Sequence, residues 1–196
     1  MAAKILAFAG STRKDSFNKK LISYAASTAE PTRSEITVLD LQDYPLPLFQ
    51  QDLEAEEGPP QNATKLYELF LSHDALLLSS PEYNGSISPL MKNTLDWVSR
   101  PREGEPPLAA FSGKVVGLLS ASPGGFGGMR GLSHLRDILM NVGTIVLPQQ
   151  VAVGTAHEAF GDDGALVDER LSKLVTSLVA SLATTASQLK GAPTDE

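Results

Sequence analysis

The chain has 196 residues, 42% of them apolar and 20% charged, with a net charge of −7 and a pI near 5.0. This is the make-up of a globular protein large enough for one well-buried core, and its acidity argues against broad attraction to nucleic acid or anionic lipid. The absence of cysteine excludes disulfides, thiolate catalysis and Cys-based metal sites and fits a cytoplasmic protein, and no apolar run approaches the ~20 residues that span a bilayer.

Residues 4–9 (KILAFA) predict a first strand; the polar STRKDSFNKK follows so closely that the apolar start reads as that strand and not as a leader. Ser16 then caps a helix with Leu21, Tyr24, Ala25 and Thr28 on one face. Residues 36–40 (ITVLD) are a second β-rich run. From 44 to 60, Pro45, Pro47, Pro59 and Pro60 surround Asp52, Glu54, Glu56 and Glu57, which predicts a long surface loop with a solvated acidic rim.

Asn62 opens a helix with Leu66, Leu69 and Phe70 inward, and residues 75–80 (ALLLSS) read as a strand covered on both faces. Ser88 and Pro89 place a cap and a first-turn proline before a helix that runs to Trp97. Residues 114–121 form a fourth strand, then a glycine-rich turn leads to a helix carrying Leu132, Leu135, Leu139 and Val142. Residues 144–147 and 151–153 read as a broken fifth strand. The last helix repeats Leu171, Leu174, Val175, Leu178, Val179 and Leu182 at the helical period, and residues 191–196 read as a loose tail. This alternation predicts one doubly wound α/β domain over residues 1–190, with ligands beyond the carboxyl ends of the parallel strands.

Three loops occupy that edge. Loop 10–18 (GSTRKDSFN) lacks both the Gly-Lys-Ser/Thr of a P-loop and the spaced glycines of a dinucleotide fingerprint. It offers Arg13 as a charged donor fork, the compact donors Ser11, Ser16 and Asn18, and a helix N-terminus. That set suits a terminal phosphate; read alone, it also suits a capped turn with an exposed arginine. In loop 80–88, Tyr83 offers an aromatic face, Asn84 an amide, and Gly85 a tight turn, an arrangement that can border a flat heteroaromatic ring. Leu90, Leu95 and Trp97 beyond it read as packing residues. In loop 121–128, Gly124, Gly125, Gly127 and Gly128 permit close backbone approach to a ligand, although a mobile turn without one reads equally well. His73, His134 and His157 stand apart without metal-ligand spacing, and His73 and His134 read as helix surface or packing residues.

Taken together, Gly10-Ser11-x-Arg13-x-x-Ser16-x-Asn18 and Pro81-Glu82-Tyr83-Asn84-x-Ser86-x-x-Pro89-x-x-Lys92-Asn93-x-x-Asp96-Trp97 resemble the NADPH-dependent FMN reductases, a flavodoxin-like family that includes quinone, chromate and azo-dye reductases. The likeness runs from about residue 4 to about residue 150. It implies a five-stranded parallel sheet in the order 2-1-3-4-5. It also implies that Ser11, Arg13, Ser16 and Asn18 hold the FMN phosphate and that Phe17 is among the cofactor-binding residues, with Pro81, Glu82, Tyr83 and Asn84 along the flavin ring and Ser120, Ser122, Gly124 and Gly125 on its other edge.

The resemblance further implies NADPH or NADH as co-substrate, hydride passing through FMN to a small oxidised acceptor, and no catalytic side chain or metal. A homodimer or homotetramer follows from the same likeness, and the polar-then-proline composition of residues 92–110 suits an interface segment; nucleic-acid and membrane partners are not expected. Two other readings stay open on the sequence: a flavodoxin-type electron carrier, which the acidity allows and Arg13 argues against, and an interaction protein with a vestigial flavin site.

Overall fold

The computed structural model describes residues 2–190, so the expected tail at 191–196 lies outside the described residues. In chain order, β1 (Ala3–Ala9) leads through the first loop to α1 (Phe17–Ser27), then β2 (Ser34–Leu39), α2 (Gln51–Glu57), α3 (Gln61–Ser72) and β3 (Ala75–Ser79). A short hairpin, β4 (Glu82–Tyr83) and β5 (Ser86–Ile87), precedes α4 (Pro89–Val98). β6 (Val115–Ala121), α5 (Met129–Asn141), β7 (Ile145–Val153) and α6 (Glu169–Lys190) complete it. The main sheet has five parallel strands in the order β2-β1-β3-β6-β7, which is the order expected from the sequence.

Strand alternation divides the core into two layers. Ile5, Ala7, Leu77 and Leu119 face α1 and α6, packing with Leu21, Val175, Val179 and Leu182. Leu6, Phe8, Leu76, Leu78 and Leu118 face the other way, toward Leu66, Phe70, Leu95 and Leu135. β3 and β6 are buried along their whole length, and β1 nearly so, which is why they read as continuous apolar runs.

Several local expectations are corrected. Residues 44–60 are not one loop: α2 occupies 51–57, buries none of its residues and so shows no apolar stripe, and Arg100 Nε, shared between both Glu54 carboxylate oxygens, ties it to the end of α4. The helix expected from Asn62 begins one residue earlier, and Asn62 donates its amide to Pro45 O. The fifth strand is continuous; Pro148 sits in an edge strand whose register slips opposite Val116 and Leu118, where the ladder tolerates a missing N–H. His73 lies just beyond α3, buried between Leu69 O and Thr37 Oγ1. Leu174 faces solvent despite its place in the helical period. Trp97 is fully buried and donates to Pro47 O at 2.8 Å, the packing role its sequence suggested.

Candidate flavin site at the carboxyl edge of the sheet

The first loop leaves β1 at Gly10, and its course is set by contact with α4. A Cβ on Gly10 would lie 3.0 Å from Met91 side-chain atoms, while Ser88 Oγ donates to Gly10 O at 2.7 Å and accepts from Met91 N as the cap of α4. Ser16 caps α1 by accepting from Lys19 N at 3.4 Å. The first N–H groups of α1, on Phe17 and Asn18, have no acceptor within the helix and define an electropositive spot. Ser11 and Ser16 are buried there, and the exposed Arg13 guanidinium lies 5.5 Å from the centre of the Phe17 ring. Among the described residues no carboxylate pairs with Arg13, whereas Lys19 is drawn off to Asp40 at 2.7 Å. An unpaired guanidinium, buried hydroxyls and a capped helix start fit a terminal phosphate dianion.

Asn18 is placed differently from its neighbours. Its Nδ2 donates to Ala121 O at 2.9 Å, and its Oδ1 accepts from Ala121 N at 3.0 Å and Ser79 Oγ at 2.9 Å. The buried amide thus fastens the first loop to the ends of β3 and β6 and leaves only the backbone N–H of this residue for a ligand.

In the second loop, Asn84 (φ 52°) and Gly85 (φ 81°) form the tight hairpin turn that joins β4 to β5. Pro81 is buried, while Tyr83 and Asn84 are exposed. Glu82 points away from them to the start of α5. Its Oε1 accepts from Arg130 Nε at 2.9 Å and its Oε2 from Gly131 N at 3.2 Å. Burial alone favours the protonated acid, but the Gly131 N–H and the Arg130 guanidinium outweigh it and hold this carboxyl below the usual glutamate range. Ser86 Oγ and His134 Nδ1, 2.9 Å apart, add a second tie between hairpin and helix.

The third loop is pinned, which corrects the mobile-turn reading. Ser120 Oγ, fully buried, donates to Gly127 O at 2.6 Å; Ala156 N donates to Ser122 O at 3.1 Å. A Cβ on Gly154 would sit 2.5 Å from Gly125 O, and one on Gly127 2.7 Å from Gly154 N. Ser122 Oγ accepts from Gly124 N at 3.3 Å, and Gly124 and Gly125 are exposed along the edge.

The three loops therefore meet at one edge, joined by Asn18–Ala121, Ser88–Gly10 and Glu82–Arg130. Ser11, Arg13, Ser16, Tyr83, Asn84, Gly124 and Gly125 line or rim it, whereas Asn18, Glu82 and Ser120 brace it. Sequence reasoning treated Ser88 as a cap alone and overlooked Arg130; only their three-dimensional partners, Gly10 and Glu82, give them significance. Among the described residues no group of three or more His, Asp or Glu is placed to hold a metal.

The family model of the NADPH-dependent FMN reductases matches residues 3–158. An NAD(P)H-dependent FMN reductase of Pseudomonas aeruginosa is 33% identical over 189 residues, covering 96% of this chain and 97% of that protein. A 2-hydroxy-1,4-benzoquinone reductase of Burkholderia sp is 34% identical over 181 residues, 91% of this chain and 93% of that one. Among solved structures, the flavoenzyme NAD(P)H:(acceptor) oxidoreductase FerB of Paracoccus denitrificans superposes with a TM-score of 0.81 at 30% identity, covering 95% of this chain and 98% of FerB. The chain belongs to the NADPH-dependent FMN reductase family: it is an oxidoreductase that uses FMN and takes electrons from NAD(P)H. That sets aside the electron-carrier reading.

Proposed function

We propose that this enzyme reduces small quinones, holding FMN across the three loops. Arg13, the hydroxyls of Ser11 and Ser16, and the N–H groups that open α1 take the phosphate; Phe17 steadies the guanidinium by lying beneath it. Tyr83, Asn84, Gly124 and Gly125 border the ring. FMN, when bound, supplies the hydride chemistry, and the chain's part is to bind, orient and leave one face open. Glu82, Ser120 and Asn18 have their polar side-chain atoms engaged within the protein and serve as braces, so proton delivery is not assigned to any of them.

The observation that carries the reading is Arg13, unpaired among the described residues, beside the Ser16-capped start of α1. The quinone assignment is supported by the Burkholderia relative's named activity. No helix among the described residues is long and apolar enough to cross a membrane; a cytoplasmic location and a homodimer or homotetramer complete the proposal. Anaerobic single-turnover reduction by NADPH and NADH, followed by oxidation with benzoquinones, free FMN, an azo dye and chromate, tests it. Quinones are expected to re-oxidise the enzyme fastest; a faster reaction with chromate or the azo dye reassigns the acceptor.

A further inference from the structure

We propose that Lys114 is a carbonyl-trapping site, an amine that forms an imine with a short, neutral aliphatic aldehyde in a cavity remote from the flavin loops. Lys114 immediately precedes β6 and Asp74 immediately precedes β3, so both stand at the amino edge of the sheet. The flavin loops leave the opposite edge, one strand length or about 20 Å away.

The half-buried Lys114 lines a cavity of about 270 Å³ between the end of α3 and the end of α6. Its Nζ donates to His73 O at 2.5 Å and makes no ion pair among the described residues. Asp74, the neighbouring carboxylate, is committed elsewhere: its Oδ2 accepts from Lys4 N at 2.8 Å and from Lys190 Nζ at 3.0 Å. Burial pushes the Lys114 ammonium below the ordinary lysine range, and Asp74 opposes that only in part. An amine so placed holds more of the unprotonated form that attacks a carbonyl.

The lining selects the electrophile. Leu71, Val115, Ala186 and Leu189 supply apolar surface for an aliphatic tail. Asp74 and Lys190 are the other charged groups of the lining and offset each other, while both ring nitrogens of His73 are engaged, with Leu69 O and Thr37 Oγ1. The carbonyl that accepts from Lys114 caps the negative end of α3, which disfavours an anionic ligand. At about 30 Å³ per water the cavity holds roughly nine water molecules, so a short aliphatic chain fits and a dinucleotide does not.

The step balances without a redox partner. The Nζ lone pair adds to the aldehyde carbon and forms the C–N bond; the two Nζ protons then leave with the carbonyl oxygen as water, and the C=N imine remains. A proton from solvent gives the iminium, which carries the charge of the ammonium it replaces and keeps one N–H for His73 O.

The test incubates the FMN-loaded protein with butanal, traps the imine with cyanoborohydride and locates the butylated lysines by peptide mass mapping. Among the nine lysines of the chain, the exposed Lys65 is the internal standard. Lys114 is expected to take the butyl group several-fold faster than Lys65, at a rate that saturates as butanal is raised, while Lys65 labelling rises linearly. With glyoxylate, an anionic aldehyde, the preference for Lys114 should disappear. Lys114→Arg keeps a cation for His73 O but forms no imine, and should abolish the saturable labelling. Labelling of Lys114 no faster than that of Lys65, or linear in butanal, overturns the site. Saturable labelling that persists in Lys114→Arg places it on another amine, and an equal preference with glyoxylate overturns the selection of a neutral aldehyde.

Discussion

Asn18 and Ala121, 103 positions apart, exchange two hydrogen bonds: the amide of one closes on both backbone groups of the other at 2.9 and 3.0 Å. This contact, with Ser79 Oγ as a third partner, fixes the first loop against the ends of β3 and β6. Asn18→Ala strands a buried N–H, a carbonyl and a hydroxyl, each costing about 1–3 kcal/mol. A loss of roughly 3 kcal/mol in the unfolding free energy of the apoprotein is expected from urea titration. Unchanged apoprotein stability would mean that the amide serves the ligand instead.

Arg13 tests the phosphate cradle. Charge-assisted hydrogen bonds from its fork contribute about 1.5–3 kcal/mol, so Arg13→Ala should weaken FMN about ten- to a hundredfold. Riboflavin, without the phosphate, should be affected far less, which separates this loss from misfolding. Arg13→Lys should recover only part, keeping charge without the planar fork. Fluorescence titration of apoprotein with both flavins measures it, and equal FMN affinity in all three proteins would remove the assignment.

How far the sequence disclosed this molecule depends on the range of the forces involved. Runs such as ALLLSS and the Ser88-Pro89 start of α4 are local signals, and they marked strands and helix starts directly. The helix at 51–57 escaped notice because it buries no apolar face and is tied down by Arg100, 46 positions from Glu54. The same limit governs the site. Ser11 and Ser16 announce themselves at a turn, but the direction of Glu82 depends on α5, and the pinning of the glycine-rich loop depends on Gly154. A sequence motif places a residue near a ligand; it does not say whether the side chain or the backbone faces it.

The assembly is testable by mass. Residues 92–110 combine the exposed outer face of α4 with an irregular segment in which Arg102 stacks on Tyr67. Two buried nitrogen atoms of that guanidinium lack a hydrogen-bond partner among the described residues. With a chain of 20.8 kDa, light scattering at micromolar concentration should return at least twice that mass. A value near the single-chain mass would leave residues 92–110 without the proposed role.

Two neighbouring glycines should respond oppositely to alanine. Gly127 has φ +61°, and three backbone atoms lie within 2.8 Å of the point where its Cβ would stand, so Gly127→Ala should cost about 2–3 kcal/mol of stability. Gly125 has open space at that position, so Gly125→Ala should leave stability within about 0.5 kcal/mol. If its backbone borders the flavin ring, the added methyl should still weaken FMN and riboflavin alike. Thermal melts of the apoproteins and titrations with both flavins read the two effects separately. Gly125→Ala with parent-like affinity for both flavins would move the ring away from this loop.

Glu82 provides a pH-dependent test of the brace. Its carboxyl is held below the glutamate value of 4.5 in the folded chain, so it binds a proton more weakly folded than unfolded. The stabilisation is therefore fully present above the unfolded-state range and is lost as pH falls through the lowered folded-state value. Arg130 is 69% exposed, and solvent screening limits the pair to about 1 kcal/mol or less. Glu82→Gln keeps an acceptor for the Gly131 N–H but removes the charge. The variant should be less stable than the parent by up to about 1 kcal/mol near neutral pH, and less so in high salt. The gap should close as the pH is lowered from neutrality through and below the ordinary carboxylate range. Urea unfolding of both apoproteins across that range measures it. A gap that stays constant or widens on acidification would show that the ionised carboxylate does not join the hairpin to α5.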